Sequence, residues 1–172
     1  MRSNSPQILY RPMKPGEETA VIDLVLEVFD EFVAPGFADE GVTEFKKYVH
    51  ADAISERLKD GNIVELAESE GKIIGVIEIR EYSHIALLFV DKSHQRKGVA
   101  GELLKKSIEI CRDRKPDINR ITVNSSPNAA DAYRRLGFQD IEDEKVVNGI
   151  RFIPMELTLK NRLEGGQLLT PL

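Results

Sequence analysis

A chain of 172 residues suits one domain and is too short for two comfortable ones. Hydrophobic residues make up 41% and charged residues 31%, while 24 Lys plus Arg against 29 Asp plus Glu leave a formal charge of −5. That acidic balance argues against a nucleic-acid partner, whose backbone is bound by Lys and Arg neutralising phosphates. A single cysteine, Cys111, excludes an internal disulfide and a Cys-rich zinc centre. No signal-peptide core is visible and no apolar run approaches the roughly 18 residues of a membrane span, so a soluble cytoplasmic protein without metal or membrane partner is expected.

Between the prolines of SPQILYRPM, Ile8 to Arg11 reads as a first strand. A helix is predicted from Pro15 to Phe32, because Val21, Leu24, Val25, Val28, Phe29 and Phe32 recur at three- and four-residue spacing and Pro15 suits a first turn. Pro35 and Gly36 stop it, and APGFADEG is a loop. Val42 to Lys59 predicts a second helix, or two short ones, ended by Gly61. NIVELAES and KIIGVIEIRE are β-branched runs joined by Glu70 and Gly71, a hairpin signal. HIALLFV is almost wholly apolar, as a strand buried on both faces would be.

Ala100 to Arg114 is predicted helical, with Ala100, Leu103, Leu104, Ile108 and Cys111 on one face. Cys111 there reads as a buried structural thiol, with no His near it in sequence to activate it. RITV is a short strand, and Pro127 to Leu136 a helix halted by Gly137. FQDIEDEKVV and IRFIPMELTL then form two strands around an Asn148–Gly149 turn. Pro154 has no N–H for a ladder and marks an edge or a bulge. Residues 161–172, NRLEGGQLLTPL, form a tail beyond a single domain over 1–160, either disordered or docked on a partner subunit. Strand-helix-strand in the middle implies a parallel crossover, and the hairpins imply antiparallel flanks. The fold class is therefore α/β, with a central mixed α+β sheet and helices on both faces.

The stretch QRKGVAG, Gln95 to Gly101, lies between the apolar strand and the helix that follows it. The first amides of a helix lack partners within it and carry partial positive charge, so they accept phosphate readily. Gly98 and Gly101 permit close approach, and Arg96 and Lys97 add charge. The same residues also fit a solvated loop with an ordinary glycine-containing helix start. The Gly-Lys-Ser/Thr ending of a P-loop and the G-x-G-x-x-G of a dinucleotide fold are both missing.

LLFVDKSHQRKGVAGELL resembles the acetyl-CoA-binding motif of the GCN5-related N-acetyltransferases (GNAT), with its Gln/Arg-x-x-Gly-x-Gly/Ala signature at Gln95, Arg96, Lys97, Gly98, Val99 and Ala100. NSSPNAADAYRRLGF is similar to that family's Ala-x-x-x-Tyr-x-x-x-Gly-Phe helix, and FIPMELTL looks like its last strand. Two motifs in the right order, with the right elements between them, are far more specific than the signature alone.

The resemblance implies an acyl-CoA N-acyltransferase fold whose signature amides, Gln95 to Gly101, hold the pyrophosphate of acetyl-CoA. It also implies that strand four splays from strand five, with the pantetheine arm along the backbone of Leu88, Phe89 and Val90. An amide near Phe89 or Val90 would polarise the thioester carbonyl. Tyr133 matches the general acid that protonates the leaving thiolate, although periodicity alone packs it on the sheet beside Ala129 and Leu136. The Asn often found seven positions before that tyrosine is Ser126 here; Ser126 and Asn128 are favoured over Asn124 as cofactor contacts.

No position of the general base transfers from the family. Glu78 and His84 are candidates, with Glu81 and Tyr82 behind them. Glu78 either faces the substrate cleft or is solvated on an outward face, and His84 is read as exposed at a strand start. The acceptor segments are expected to be FDEFVAPGFADEG and EKVVNGIRF. Phe29, Phe32 and Phe37 would line the substrate site, and Asp30, Glu31, Asp39 and Glu40 suit a cationic amine unless they are merely solvated.

The activity implied is acetyl transfer from acetyl-CoA to a primary amine of a small molecule, by direct attack in a ternary complex. Rival readings are a CoA-binding module without catalysis, a longer acyl donor, or acetylation of protein N-termini or lysines. The family resemblance also suggests a homodimer.

Overall fold

The computed structural model describes residues 5–161, and the expected tail lies outside them from residue 162 onward. Turn chemistry lays down the first half of the sheet. Strand β1 (Ile8–Pro12) runs antiparallel to β2 (Ile63–Ser69), and β2 to β3 (Lys72–Arg80). Between β2 and β3, Glu70 and Gly71 take φ of 51° and 78°, the doubly left-handed turn that a twisted hairpin prefers. Glu81 and Tyr82 repeat that geometry on the way into β4 (His84–Val90).

Helix α1 (Glu18–Phe32) starts three residues later than the periodicity suggests. Gly16 is left-handed at φ 97°, which a helix cannot continue through. Glu17 accepts the Lys14 N–H at 2.7 Å and pairs with Arg11 of β1 at 2.6 Å, fixing the helix start to the sheet. The following helical stretch is two helices, α2 (Asp39–Tyr48) and α3 (Ala51–Lys59), as one of the two sequence readings had it.

After β4, helix α4 (Val99–Arg114) crosses over to β5 (Arg120–Ser125), which lies parallel to β4. A short α5 (Ala130–Arg135) leads to the outer strands β6 (Gln139–Asp140), β7 (Lys145–Val147) and β8 (Ile150–Thr158). The sheet order is β1-β2-β3-β4-β5-β8-β6, with β7 also on β8. The single strand expected over FQDIEDEKVV is thus broken into β6 and β7. Pro154 faces that break: β8 pairs with β7 through Phe152 and with β6 from Met155, so its missing N–H removes no ladder bond.

Two cores sandwich the sheet. On one face α4 and α5 bury Leu103, Leu104, Cys111 and Tyr133 against Ile77, Ile121 and Met155. On the other, Val21, Val25 and Val28 of α1 and Ile54 of α3 cover Leu66, Val76 and Leu87. Among the described residues no helix is long and apolar enough to cross a membrane.

One feature of β4 departs from its apolar sequence. Only His84 and Ile85 pair with β5, opposite Thr122 and Val123. Register with β3 jumps from Glu78↔Leu87 to Ile79↔Ile85, which makes Ala86 an extra residue that bends the strand where it parts from β5. Beyond that point Leu88 and Phe89 are only half-buried, not closed in on both faces.

Candidate active site

The turn before α4 is built by local polar contacts. Asp91 accepts the hydroxyl of Ser93 and lies 2.9 Å from Nδ1 of His94. Those two hydrogen bonds hold its carboxyl below the usual range. Gln95 then donates from Nε2 to the Val90 carbonyl at 3.0 Å, tying the turn back to the end of β4. Arg96 and Gly98 both adopt left-handed φ, 60° and 82°, so successive amides point to one side, as in an anion-binding nest.

Gly98 caps α4 without a side-chain bond. No hydrogen bond among the described residues takes the N–H of Arg96, Lys97, Gly98, Val99, Ala100 or Gly101. The side chain of Val99 goes into the core while Arg96, Lys97 and Gly98 stay exposed. Gly101 serves packing rather than the turn: a Cβ there would meet Leu136, which caps the C-terminus of α5, at 3.4 Å, so the first turn of α4 sits against the end of α5.

On β4, the amide of Asp91 reaches back to the Ile74 carbonyl of β3 at 2.8 Å. Strand alternation then turns the main-chain groups of Phe89 toward β3, and those of Leu88 and Val90 toward the side that β5 has left. Of the two amides expected to polarise a carbonyl, Val90 is on the open side and Phe89 is not; Leu88 shares the open side.

Tyr133 is buried at 8% exposure, its ring edge-on to Phe138 at 5.3 Å and 76°. It shares a core layer with Val90 and Val99. Burial pushes its phenol well above the ordinary value, so the hydroxyl holds its proton at neutral pH. That hydroxyl makes no hydrogen bond with another described residue, unlike most buried tyrosines. At the end of β5, Ser126 is half-buried and its carbonyl caps the turn into α5 through Ala129, while Asn124 and Asn128 are exposed.

Glu78 occupies neither environment expected of it. It is 1% exposed, on the face covered by α1 and α3. Arg57 of α3 grips both its oxygens, at 2.6 and 3.1 Å, and Asn62 donates to Oε1 at 2.8 Å. Arg57 also donates to the Tyr48 carbonyl and stacks on the Tyr48 ring at 3.8 Å. With its oxygens so engaged, Glu78 clamps α3 to β3 and is not placed to take a proton from an amine.

His84 is half-buried rather than exposed, its Nδ1 2.8 Å from Thr122 Oγ1 at the first β4–β5 pair. Burial, then Arg80, pull its imidazole down to about 4, so it is neutral at pH 7. Glu81 and Tyr82 serve the β3–β4 turn.

The aromatic residues divide. Phe29 is fully buried. It stacks on Phe45 at 4.0 Å and 11°, and meets Phe37 edge-on at 5.8 Å. Phe45 in turn lies 5.9 Å from Phe89 of β4. Phe32 stands apart, with Lys92 Nζ at 5.9 Å over its ring.

The second acceptor segment arrives by backbone contact. A Cβ on Gly41 of α2 would fall 2.1 Å from the carbonyl oxygen of Gly149, at the tip of the β7–β8 hairpin. Arg151 of β8 donates to the Gly36 carbonyl at 3.2 Å and pairs with Glu144. Sequence reading placed Gly41 and Arg151 within the two expected acceptor segments without giving either a contact, and it missed Phe45.

A family model described as an acetyltransferase (GNAT) domain matches residues 33–159. No curated protein matches the sequence. Among solved structures, the chain is similar to a GCN5-related N-acetyltransferase of Rhodopseudomonas palustris, at 19% identity and TM-score 0.75 over 92% of this chain and 99% of that one. The PaiA N-acetyltransferase of Thermoplasma acidophilum, solved with coenzyme A, is 16% identical with TM-score 0.71, over 88% and 99% of the two chains. An aminoglycoside 6'-N-acetyltransferase, also complexed with coenzyme A, is 13% identical with TM-score 0.66, over 91% and 99%. At these identities the likeness is one of fold, an open mixed sheet flanked by helices.

Proposed function

Since the chain belongs to the GNAT acetyltransferase family, we propose that it transfers acetyl from acetyl-CoA to the primary amine of a small molecule, by direct attack within a ternary complex. The observation that carries this reading is the run of unbonded amides from Arg96 to Gly101, at a helix start beside the β4–β5 split. A diphosphate fits such a turn because the nest and the helix dipole both favour negative charge. Arg96 and Lys97 reinforce it from the rim.

From that turn a pantetheine arm runs along β4 beyond Ile85, where Leu88 presents its main-chain groups and Val90 its amide in place of a neighbouring strand. An amide there is aimed at the thioester oxygen and stabilises the charge that builds on it during attack. The amine nitrogen bonds to the carbonyl carbon and the carbon–sulfur bond breaks. Tyr133, protonated and without a competing hydrogen bond, gives its proton to the thiolate. Water takes the proton lost by the amine, since Glu78 is engaged and His84 is a weak base. The free phenol also favours catalysis over a CoA sensor.

Contact between Gly41 and Gly149 supports a small acceptor over a protein chain, because the two segments flanking the cleft meet instead of leaving a groove between them. The test is thiol release from acetyl-CoA by the purified protein, across panels of small amines and of lysine or N-terminal peptides. Turnover confined to peptides would overturn the small-molecule reading. Binding of acetyl-CoA in a calorimeter with no acceptor turned over would favour the sensor.

A further inference from the structure

Of the aromatic and acidic residues that the sequence offered for the acceptor, Phe29 and Phe37 connect to the sheet through ring contacts. Phe89 stands on β4 beyond the last pair with β5, half-buried on the α1 face. Phe45 is next to it at 5.9 Å, and both Phe45 and Phe37 rest on the buried ring of Phe29. Phe37 and Phe45 thus share the buried ring of Phe29, and Phe45 carries the aromatic contact on to Phe89, on the strand where the thioester would lie.

Carboxylates of the same segments already have cations. Asp30 pairs with Lys46 at 3.3 Å, Glu31 with Lys92, Glu44 with Lys47 at 3.0 Å and Glu144 with Arg151 at 2.8 Å. Asp39 and Glu40 are exposed in the first turn of α2, where the helix dipole accommodates them. Cations thus already hold four of these carboxylates and leave a polycationic acceptor only Asp39 and Glu40, whereas an apolar body has only to cover the rings.

We propose that the acceptor is an aralkyl amine: a primary amine one or two carbons from an aromatic ring, with that ring against Phe45 and Phe89 while the nitrogen reaches the β4–β5 split. The inference rests on the acetyl-transfer reading and adds the class of acceptor to it. In the transfer the nitrogen–carbonyl carbon bond forms, the carbon–sulfur bond breaks, the thiolate takes the Tyr133 proton and the amine gives its own to water.

The test compares kcat/KM for 2-phenylethylamine, spermidine and a lysine peptide with the full chain and acetyl-CoA, then repeats it for Phe89→Leu and Phe45→Leu. Phenylethylamine is expected to lead by at least about tenfold, with each variant raising its KM several-fold and narrowing that lead, as loss of an aromatic contact should. Phe89→Leu leaves the Phe29–Phe45 stack intact and so decides the matter if Phe45→Leu fails to fold. Preference for spermidine or peptide, or a lead unmoved in Phe89→Leu, would overturn the inference and leave acetyl transfer standing. Thiol release with none of the three, despite acetyl-CoA binding by calorimetry, would overturn both.

Discussion

The two sides of the β4–β5 split are made of different material. On the α4 side the site is main chain: six consecutive amides from Arg96 to Gly101, turned outward by left-handed residues at 96 and 98. On the α1 side it is side chain, with Phe37, Phe45 and Phe89 gathered from a loop, a helix and a strand. A main-chain site is insensitive to which residues flank it, provided the backbone keeps its conformation. A side-chain site changes with every substitution, which is how one scaffold keeps a donor while its acceptors diverge.

The sharpest test of that division is Tyr133, the side chain proposed to protonate the leaving thiolate. Tyr133→Phe keeps the packing on Phe138 and removes the proton donor, so kcat should fall by about 10²- to 10⁴-fold while acetyl-CoA binding is unchanged in calorimetry. Unaltered turnover would remove it from the chemistry. Because burial raises its pKa, ionisation of Tyr133 should cause no loss of activity up to pH 10.

Next in size is the Arg57–Glu78 clamp. Arg57→Ala leaves a buried carboxylate uncompensated and should lower unfolding free energy by about 3–5 kcal/mol in urea. Glu78→Gln should also destabilise, yet leave kcat within a few-fold at temperatures where it is folded. A collapse of kcat in folded Glu78→Gln would make it the base after all.

The donor turn itself offers a paired comparison. Gly98→Val forces a β-branched residue to φ 82°, at about 1–2 kcal/mol, and should weaken CoA binding roughly tenfold. Lys97→Ala removes an exposed charge and should weaken it by less than about fivefold. Equal effects would mean that charge, not backbone, holds the diphosphate.

The pH dependence of stability turns on His84. Its folded pKa, about 4, is below the ordinary 6.5, so the unfolded chain takes up the proton first. The stability it contributes is present above pH 6.5 and lost as pH falls toward 4. The urea midpoint should drop over that window, and less steeply in His84→Asn.

What the sequence disclosed follows the same division. Gln95 to Gly101 and Asn148–Gly149 were legible because a turn is written in neighbouring residues, and Tyr133 because its helix carries a compact motif. Glu78 looked like a candidate base because Arg57 and Asn62, its partners, lie 21 and 16 residues away and nothing local announces them. The Phe45–Phe89 contact is hidden in the same way, across separate elements. β4 was read as buried on both faces because periodicity reports hydrophobicity, whereas exposure beyond Ile85 depends on where β5 turns away.

Backbones touch at Gly41 and Gly149, where helix α2 meets the last hairpin. Any side chain at either position must wedge them apart, since a first carbon at residue 41 already falls 2.1 Å from the opposing oxygen. If the acceptor enters beside this contact, as proposed, adding one methyl group there should admit bulkier guests without altering a residue that faces them.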